Sequence, residues 1–482
     1  MPGVEIPAAQ QLIDGEWTPA RDKGELDVID PATHEVFQTV ARAGRADIDD
    51  AVSAARRSFP AWAATNPSER GALLGRWAEL IMEQVEDLAA AEARDVGKPL
   101  SAGRMNIFIA QGIIQYFAGA ADKLTGVTLP TRTPDYLGYT VPEPYGVCAV
   151  VIPWNVPAVL TAANVAPAMA AGNTVVLKPS EVAPLAPFAL AELARRAGFP
   201  PGVLNVAVGL GPEAGAALTS HPDVGHISFV GSTATGRAIM AAAAQHLVPV
   251  KLELGGKSPN VVFADADLDV AIPAIVASIT ENAGQNCYAG SRLVVEDAVH
   301  AEVVERISAA MSAVRVGPWN ADLDMGPLVN QAQFDRVVGH LAGAASDGAR
   351  LVTGGSKAGD GWYVQPTVYD QVDSGMRIAR DEIFGPVLAV QPFHGMPEAT
   401  ALMNGSDFGL LACVWTNDVS RALRLAKDVR AGQVAVNQFH DAGVIGFPFN
   451  MQKDSGFSRG GGYGALREYV QEKAVAIRLL ER

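Results

Sequence analysis

The chain has 482 residues, of which 49% are hydrophobic and 18% charged, with a formal net charge of −15. This length and apolar fraction allow two or three domains with buried cores and exclude wholesale disorder. The acidic balance argues against nucleic acid or an anionic membrane as a partner.

The three cysteines, Cys148, Cys287 and Cys413, are too few and too scattered for a disulfide framework or a zinc site. No metal is expected, and a reducing, cytoplasmic setting fits. Residues 1–10 lack a basic start followed by an apolar core, so no secretory leader is expected. No apolar run approaches the ~20 residues that cross a bilayer.

Residues 12–41 read as short strands around Asp14-Gly15-Glu16-Trp17 and Asp30-Pro31. Helical periodicity covers 46–59, then 68–93 with Ser68 as N-cap, then 101–123. Residues 126–143 alternate apolar and polar side chains around Thr-Pro turns, the pattern of a projecting hairpin. From Gly146 onward, strands at 147–152, 174–177, 203–206, 226–230 and 250–254 alternate with helices at 158–171, 185–196, 212–219 and 233–244. A second series has strands at 261–263, 293–295, 388–390, 411–415 and 434–436. Such alternation means βαβ units on parallel sheets covered on both faces, here two α/β domains joined near Gly255-Gly256. Residues 469–480 have strand character and no sheet of their own; they pair with the earlier hairpin or with another subunit.

Cys287 lies on the turn Gly284-Gln285-Asn286, after a helical segment (271–279) and before an apolar strand. A thiol on such a turn can be approached by substrate, although a single cysteine also reads as a small buried hydrophobe. Lys178-Pro179-Ser180-Glu181 ends a buried strand, where open α/β sheets bind ligands. Glu181 can accept from the ribose hydroxyls of an adenine nucleotide, with Lys178 as a donor. The same tetrapeptide also reads as a helix-start cap.

Phe229-Val230-Gly231-Ser232-Thr233 turns from strand into helix with backbone N–H groups facing outward, which suits a pyrophosphate. It is not GxGxxG; Gly209-Leu210-Gly211-Pro212 is slightly nearer that pattern, and both read equally as plain turns. Glu253-Leu254-Gly255-Gly256-Lys257 places a carboxylate at a strand end, where burial suits it to act as a general base. The alternative is a glutamate paired with Lys257. Pro153-Trp154-Asn155-Val156-Pro157 holds one amide between two prolines, an arrangement suited to an oxyanion. Glu382-Ile383-Phe384-Gly385 sets a carboxylate and a ring before a strand.

Together these stretches resemble the aldehyde dehydrogenase superfamily, from about Leu12 to the C-terminus. Asn404-x-x-x-Phe408-Gly409-Leu410, Gly432-x-Val434-x-Val436-Asn437 and Ser455-Gly456-Phe457-Ser458-Arg459 add to the match. The resemblance implies a Rossmann-type cofactor domain (1–122 and 145–254), an α/β catalytic domain (255–454) and a small β oligomerisation element (123–144 and 455–482). It implies an aldehyde as substrate, NAD as cofactor with NADP less favoured, and a homodimer or homotetramer.

It also implies Cys287 as nucleophile, Glu253 as base, and Asn155 with the Cys287 N–H as the oxyanion site. Lys178 and Glu181 would hold the adenosine ribose, Gly231 and Ser232 the pyrophosphate, and Glu382 the nicotinamide ribose beside Phe384. Ile152, Trp154, Ser180, Gly211, Phe229 and Leu254 complete the implied cofactor contacts. A CoA-acylating member tends to lack a base at Glu253, and a silent homologue usually loses the cysteine or that base; this chain keeps both.

The match departs from the family near the C-terminus. Pro448-Phe449-Asn450-Met451-Gln452-Lys453 stands where Pro-Phe-Gly-Gly is frequent, Ser458 replaces a usual glycine, and Gly460 to Gly462 follow Arg459. These positions are expected outside the chemical core, with an effect on the tunnel loop only.

The implied substrate tunnel is lined by Val156, Ala163, Ile109, Gly112, Ile113 and the 438–449 loop. Val156 and Ala163 stand where small-aldehyde enzymes often carry aromatic rings, so a wider tunnel and an aromatic or medium-chain aldehyde are expected. Phe108, Tyr288, Phe439 and Phe449 can supply aromatic walls and His440 a polar contact. A short dicarboxylic semialdehyde is less favoured unless Arg292 or Arg459 grips its carboxylate.

Overall fold

The computed structural model describes residues 6–440 and 444–480. Its first sheet is built on parallel strands Val147–Val151, Thr174–Lys178, Leu204–Val206, Val224–Val230 and Val250–Glu253. They are runs of mainly Val, Leu, Ile and Ala, buried almost throughout, as a sheet covered on both faces requires. The chain steps outward from Val147–Val151 through Thr174–Lys178 to Leu204–Val206. It then returns to lay Val224–Val230 against the other side of Val147–Val151. Strand order reverses between these two, and a crevice opens at the carboxyl ends of strands at such a point.

Helices Pro157–Ala170, Leu185–Ala197 and Thr233–Ala243 form crossovers. One face of the sheet buries Trp62, Trp77, Phe117 and Phe188 beneath helices. The other packs Ile48 and Val52 against Ile227 and Phe229. Each fully buried large apolar side chain contributes about 1.5–3 kcal/mol. Gln11–Ile13 and, outside it, Glu16–Thr18 add antiparallel at one edge, and Gly456–Phe457 closes the other by pairing antiparallel with Val250–Glu253, Gly456 opposite Glu253.

The second sheet runs Arg350–Thr353, Thr367–Asp370, Val387–Phe393, Arg292–Glu296, Pro259–Val262, Leu411–Trp415, Gln433–Val436. It is parallel apart from its first pair. A third, three-stranded sheet joins Thr128–Leu129, Tyr136–Pro144 and Val470–Arg478. The C-terminal segment therefore pairs with the hairpin of its own chain, from Val470 opposite Pro144 to Arg478 opposite Tyr136.

Three expected helices differ in detail. The one over 68–93 is two, Pro67–Glu83 and Val85–Val96, parted at Gln84 (φ −120°, ψ 20°). Its N-cap is Asn66, not Ser68: the Asn66 side chain accepts from Ser68 N–H at 2.9 Å, and Pro67 takes the first helical position, where no N–H is needed. The 212–219 helix begins as a wide turn, Gly211–Gly215, before Ala216–Thr219. The helix Leu100–Ala120 tightens at its end into Ala121–Lys123.

Candidate active site

The crevice between Val147–Val151 and Val224–Val230 receives the predicted ligand residues. Ile152 leaves its strand with N–H donating to Lys178 O at 3.2 Å, and Trp154 meets Phe384 edge-on at 5.4 Å between ring centroids. Lys178 is buried at the end of the next strand, its Nζ donating to Pro179 O at 3.0 Å and Glu181 Oε2 at 3.5 Å. Burial lowers the Lys178 pKa, and Glu181 draws it back. Ser180 Oγ accepts from Val182 N–H at 3.2 Å, leaving Glu181 half-buried at the crevice edge. The turn Gly211–Gly215 lies over the Lys178 stem, and Gly211 itself faces open space.

Ser232 caps the helix Thr233–Ala243, its Oγ accepting from Thr235 N–H at 3.3 Å. Gly231 N–H donates to Glu253 O at 3.0 Å, so this turn is tied to the strand that carries Glu253. Phe229 folds its ring beneath Gly231, and Leu254 packs on Gly236 of the capped helix.

The Cys287 turn is unusually constrained. Asn282, Ala283 and Gly284 all have left-handed backbone, with φ of 50°, 55° and 70°. Two of them carry a Cβ, and such residues persist only where surroundings hold them. Asn282 Nδ2 donates to Asn155 O at 3.0 Å, Gln285 Nε2 donates to Asn282 O at 2.9 Å, and Gln285 Oε1 accepts from Val329 N–H at 3.0 Å. Asn155, buried, donates Nδ2 to Gln285 O at 3.0 Å. One N–H of that amide is thereby engaged.

Glycines let the strand end reach this turn. A Cβ on Gly256 would lie 2.1 Å from the Cys287 carbonyl oxygen, and one on Gly255 would lie 2.4 Å from Glu382 Oε2. Only glycine allows both approaches. Glu382 Oε1 accepts from Gly256 N–H at 3.0 Å, and burial pushes its pKa up to about 7. Cys287 is half-buried; burial, with Glu382 and Glu253 adding negative charge, pushes its thiol up to about 12. Burial therefore favours the thiol over the thiolate. Cys148 and Cys413 are buried within strands.

Glu253 is not paired with Lys257. Its Oε1 meets Lys251 Nζ at 2.6 Å, with the lysine side chain 2% exposed and the glutamate 10%. Lys251 and Glu253 are two apart on one strand, so their side chains share a sheet face, while Lys257 lies beyond the Gly-Gly turn. Lys251 Nζ also donates to Asn164 Oδ1 at 2.8 Å. Lys257 Nζ is buried with no hydrogen-bond partner among the described residues, and burial pushes its pKa down to about 7. The expectation that the C-terminal departures lie outside the chemical core also fails. Ser458 Oγ is 3.4 Å from Glu253 Oε1, and a Cβ on Gly460 would be 3.0 Å from the same oxygen.

The predicted tunnel residues gather on one side. Tyr288 stacks on His440 at 4.4 Å, with Phe439 at 5.9 Å from Tyr288 and Phe449 at 5.9 Å from His440. Ile113 and Ala163 line an apolar recess with Tyr116, Phe117, Ile445 and Gly446. Val156 and Ile109 are half-buried, whereas Phe108 is 40% exposed. Positions 441–443 of the tunnel loop lie outside the described residues. Arg292 is buried and spends its guanidinium on the carbonyls of Lys257, Leu402 and Met403. It is a brace of the fold rather than a ligand for a carboxylate.

Sequence reasoning missed the support behind Asn155. Lys98 Nζ, 1% exposed, donates to Asn155 O at 2.9 Å and to Glu92 Oε1 at 3.0 Å. Glu92 Oε2 accepts from Ala158 N–H at 2.9 Å. These residues stand on a distant helix and its following loop, and no local spacing signals the contact. The Ser455 motif, by contrast, is explained by its contacts, since Ser455 Oγ donates to Gly255 O at 2.7 Å and accepts from Gly409 N–H at 3.0 Å.

The family model described as "Aldehyde dehydrogenase family" matches residues 17–475. An aldehyde dehydrogenase of Alternaria alternata is 42% identical over 473 residues, covering 97% of this chain and 95% of its own. Human retinal dehydrogenase 2 is 40% identical over 491 residues, covering 100% and 94%. The NAD+ complex of an aldehyde dehydrogenase from Bacillus cereus superposes with a TM-score of 0.96 at 39% identity, covering 98% and 97%. Matched along nearly its whole length in sequence and in fold, the chain belongs to the aldehyde dehydrogenase family.

Proposed function

We propose that this aldehyde dehydrogenase oxidises an aromatic or medium-chain aldehyde to its acid with NAD, through a thiohemiacetal and a thioester on Cys287. The observation that carries this is the joining of three segments: the Cys287 turn is braced on Asn155 and packed against the Gly256 end of the strand bearing Glu253. Cys287 gives up its proton to Glu253, which passes it to solvent before the water step, and its sulfur bonds to the carbonyl carbon. The oxyanion accepts from the second Asn155 Nδ2–H and from the Cys287 N–H. Bound NAD supplies the hydride acceptor. Glu253 then takes a proton from the water whose oxygen bonds to the thioester carbon, and the carbon–sulfur bond breaks to release the acid and the Cys287 thiolate, which takes up the acid's proton.

The crevice residues suit NAD chemically. Glu181 and Lys178 offer an acceptor and a donor to a ribose diol, the helix start at Ser232 offers N–H groups to a diphosphate, and Glu382 offers a second carboxylate. A neighbouring structure of the same fold is described as an NAD+ complex. The glutamate at 181 would repel a 2′-phosphate, so kcat/KM is expected to favour NAD over NADP by about 10-fold or more. Equal values in steady-state assays would mean that Glu181 does not face the ribose.

The small Val156 and Ala163, the apolar recess and the Tyr288–His440 wall support a larger apolar substrate. So does a relative named retinal dehydrogenase 2. Steady-state kcat/KM for acetaldehyde, hexanal, benzaldehyde and succinic semialdehyde, with and without CoA, tests the reading. Hexanal or benzaldehyde should lead by about 1–3 kcal/mol over acetaldehyde per well-filled step of pocket volume. Acetaldehyde or succinic semialdehyde in first place sinks the substrate class, and a requirement for CoA sinks the hydrolytic mechanism.

The same reading assigns 1–122 and 145–254 to the cofactor, 255–454 to the catalytic domain, and 123–144 with 455–482 to assembly as a homodimer or homotetramer. Exposed Leu129, Tyr136, Leu137 and Ile477 on the three-stranded sheet support assembly there. Three unpaired cysteines support a reducing, cytoplasmic setting.

A further inference from the structure

Ser458 and Gly460, on either side of Arg459, both lie against the carboxylate assigned as the base. Ser458 Oγ stands between two carboxylates, 3.4 Å from Glu253 Oε1 and 3.2 Å from Glu468 Oε2. Gly460 leaves the space: a Cβ there would press on Glu253 Oε1 at 3.0 Å and on Phe449 O at 2.8 Å. Glu468 is fixed by the Arg459 N–H and is half-buried, so it lies between the interior and solvent. Glu253 by contrast is 8% exposed and has Lys251 on its inner side.

We propose that Ser458 and Glu468 form the exit route for the proton that Glu253 takes from the attacking water. This rests on Glu253 being the base. In deacylation an O–H bond of water breaks, the oxygen bonds to the thioester carbon, and the proton bonds to Glu253. The carboxyl group turns about its terminal torsion, which is broad and two-fold, to face Ser458. Its proton then passes to Ser458 Oγ as the serine's own proton passes to Glu468. Ser458 is regenerated as a hydroxyl, Glu253 as a carboxylate, and Glu468 releases the proton to solvent. No electron changes hands.

A serine hydroxyl has one hydrogen and two lone pairs, so it can accept from one carboxylic acid while donating to the other carboxylate. Before Glu253 is protonated, both neighbours compete only as acceptors; protonation creates the donor that completes the chain. Burial raises the proton affinity of Glu468, and nearby Lys251 lowers it again. Lys251 remains the counter-charge for whichever carboxylate is ionised.

The test uses the full-length Ser458→Gly, Ser458→Thr and Glu468→Gln variants with hexanal and NAD. Ser458→Gly and Glu468→Gln are expected to lower kcat about 10-fold, below the ~10²–10⁴ of the base itself. KM should fall in step, leaving kcat/KM within about twofold, because acylation precedes the relay. Acyl-enzyme should accumulate in intact-protein mass spectra, and Ser458→Thr, which keeps the hydroxyl, should restore kcat. Wild-type kcat in Ser458→Gly overturns the relay, as does failure of threonine to rescue. An equal fall of kcat and kcat/KM would mark a structural role and also overturns it. Glu253→Gln is measured alongside. Wild-type turnover there overturns the base assignment itself, whereas a slow Glu253→Gln beside an unimpaired Ser458→Gly overturns the relay alone.

Discussion

Cys287→Ala should lower aldehyde oxidation by about 10⁴-fold or more while NAD binds within about twofold of the wild-type affinity. The sulfur is the atom of this chain that bonds to the substrate in the proposed reaction. The cofactor residues, Lys178, Glu181 and Ser232, stand on other strand ends and do not depend on the thiol. The turn itself should survive, because its shape is set by Asn282 and Gln285 side chains rather than by the cysteine. Cys148→Ala and Cys413→Ala should keep most activity, since both thiols are buried inside strands. Turnover assays and fluorescence titration with NAD measure the two halves of the prediction. Substantial turnover by Cys287→Ala would remove the covalent mechanism.

Glu253→Gln should slow turnover by about 10²–10⁴-fold, with acyl-enzyme accumulating after one cycle. An amide cannot take a proton from water. If Glu253 also accepts the thiol proton, acylation slows as well, and the raised Cys287 pKa makes that second role chemically reasonable. Stability should respond too. Lys251 would keep its charge at 2% exposure with Asn164 Oδ1 and an amide oxygen as acceptors and Glu468 as the remaining nearby carboxylate. Removing one partner of a buried pair costs about 3–5 kcal/mol, and the retained amide acceptor should hold the loss below that. Thermal unfolding separates this from chemistry: a folded variant with a lower Tm and a trapped thioester is expected. An unchanged steady-state rate would show that another group is the base.

The strand–helix alternation was legible along the chain because parallel strands buried on both faces must be continuous apolar runs, and crossover helices must separate them. The residues assigned to the site were legible for a related reason. Each stands at a strand end or turn, where Gly, Pro, Asn and a carboxylate interrupt the apolar pattern within a few positions, as in Glu253 to Gly256. Helix limits were less legible. Gln84 carries no breaker signal, yet the chain leaves helical geometry there, although the helices on both sides pack on the same two neighbours, Leu100–Ala120 and Leu185–Ala197.

Only the tertiary structure decided who faces whom. Lys257 shares the Gly-Gly motif with Glu253, but the pleat points Lys251 at it. Lys98 braces Asn155 from 57 residues away, and Ser458 reaches Glu253 across 205 residues because a C-terminal strand adds to the edge of the first sheet. Contacts of that kind arise from sheet order and register, which depend on every packed element at once. By itself the sequence determined the α/β architecture and the residues proposed for the chemistry. Which lysine, serine and glutamate surround Glu253 was decided by the fold that closes over it.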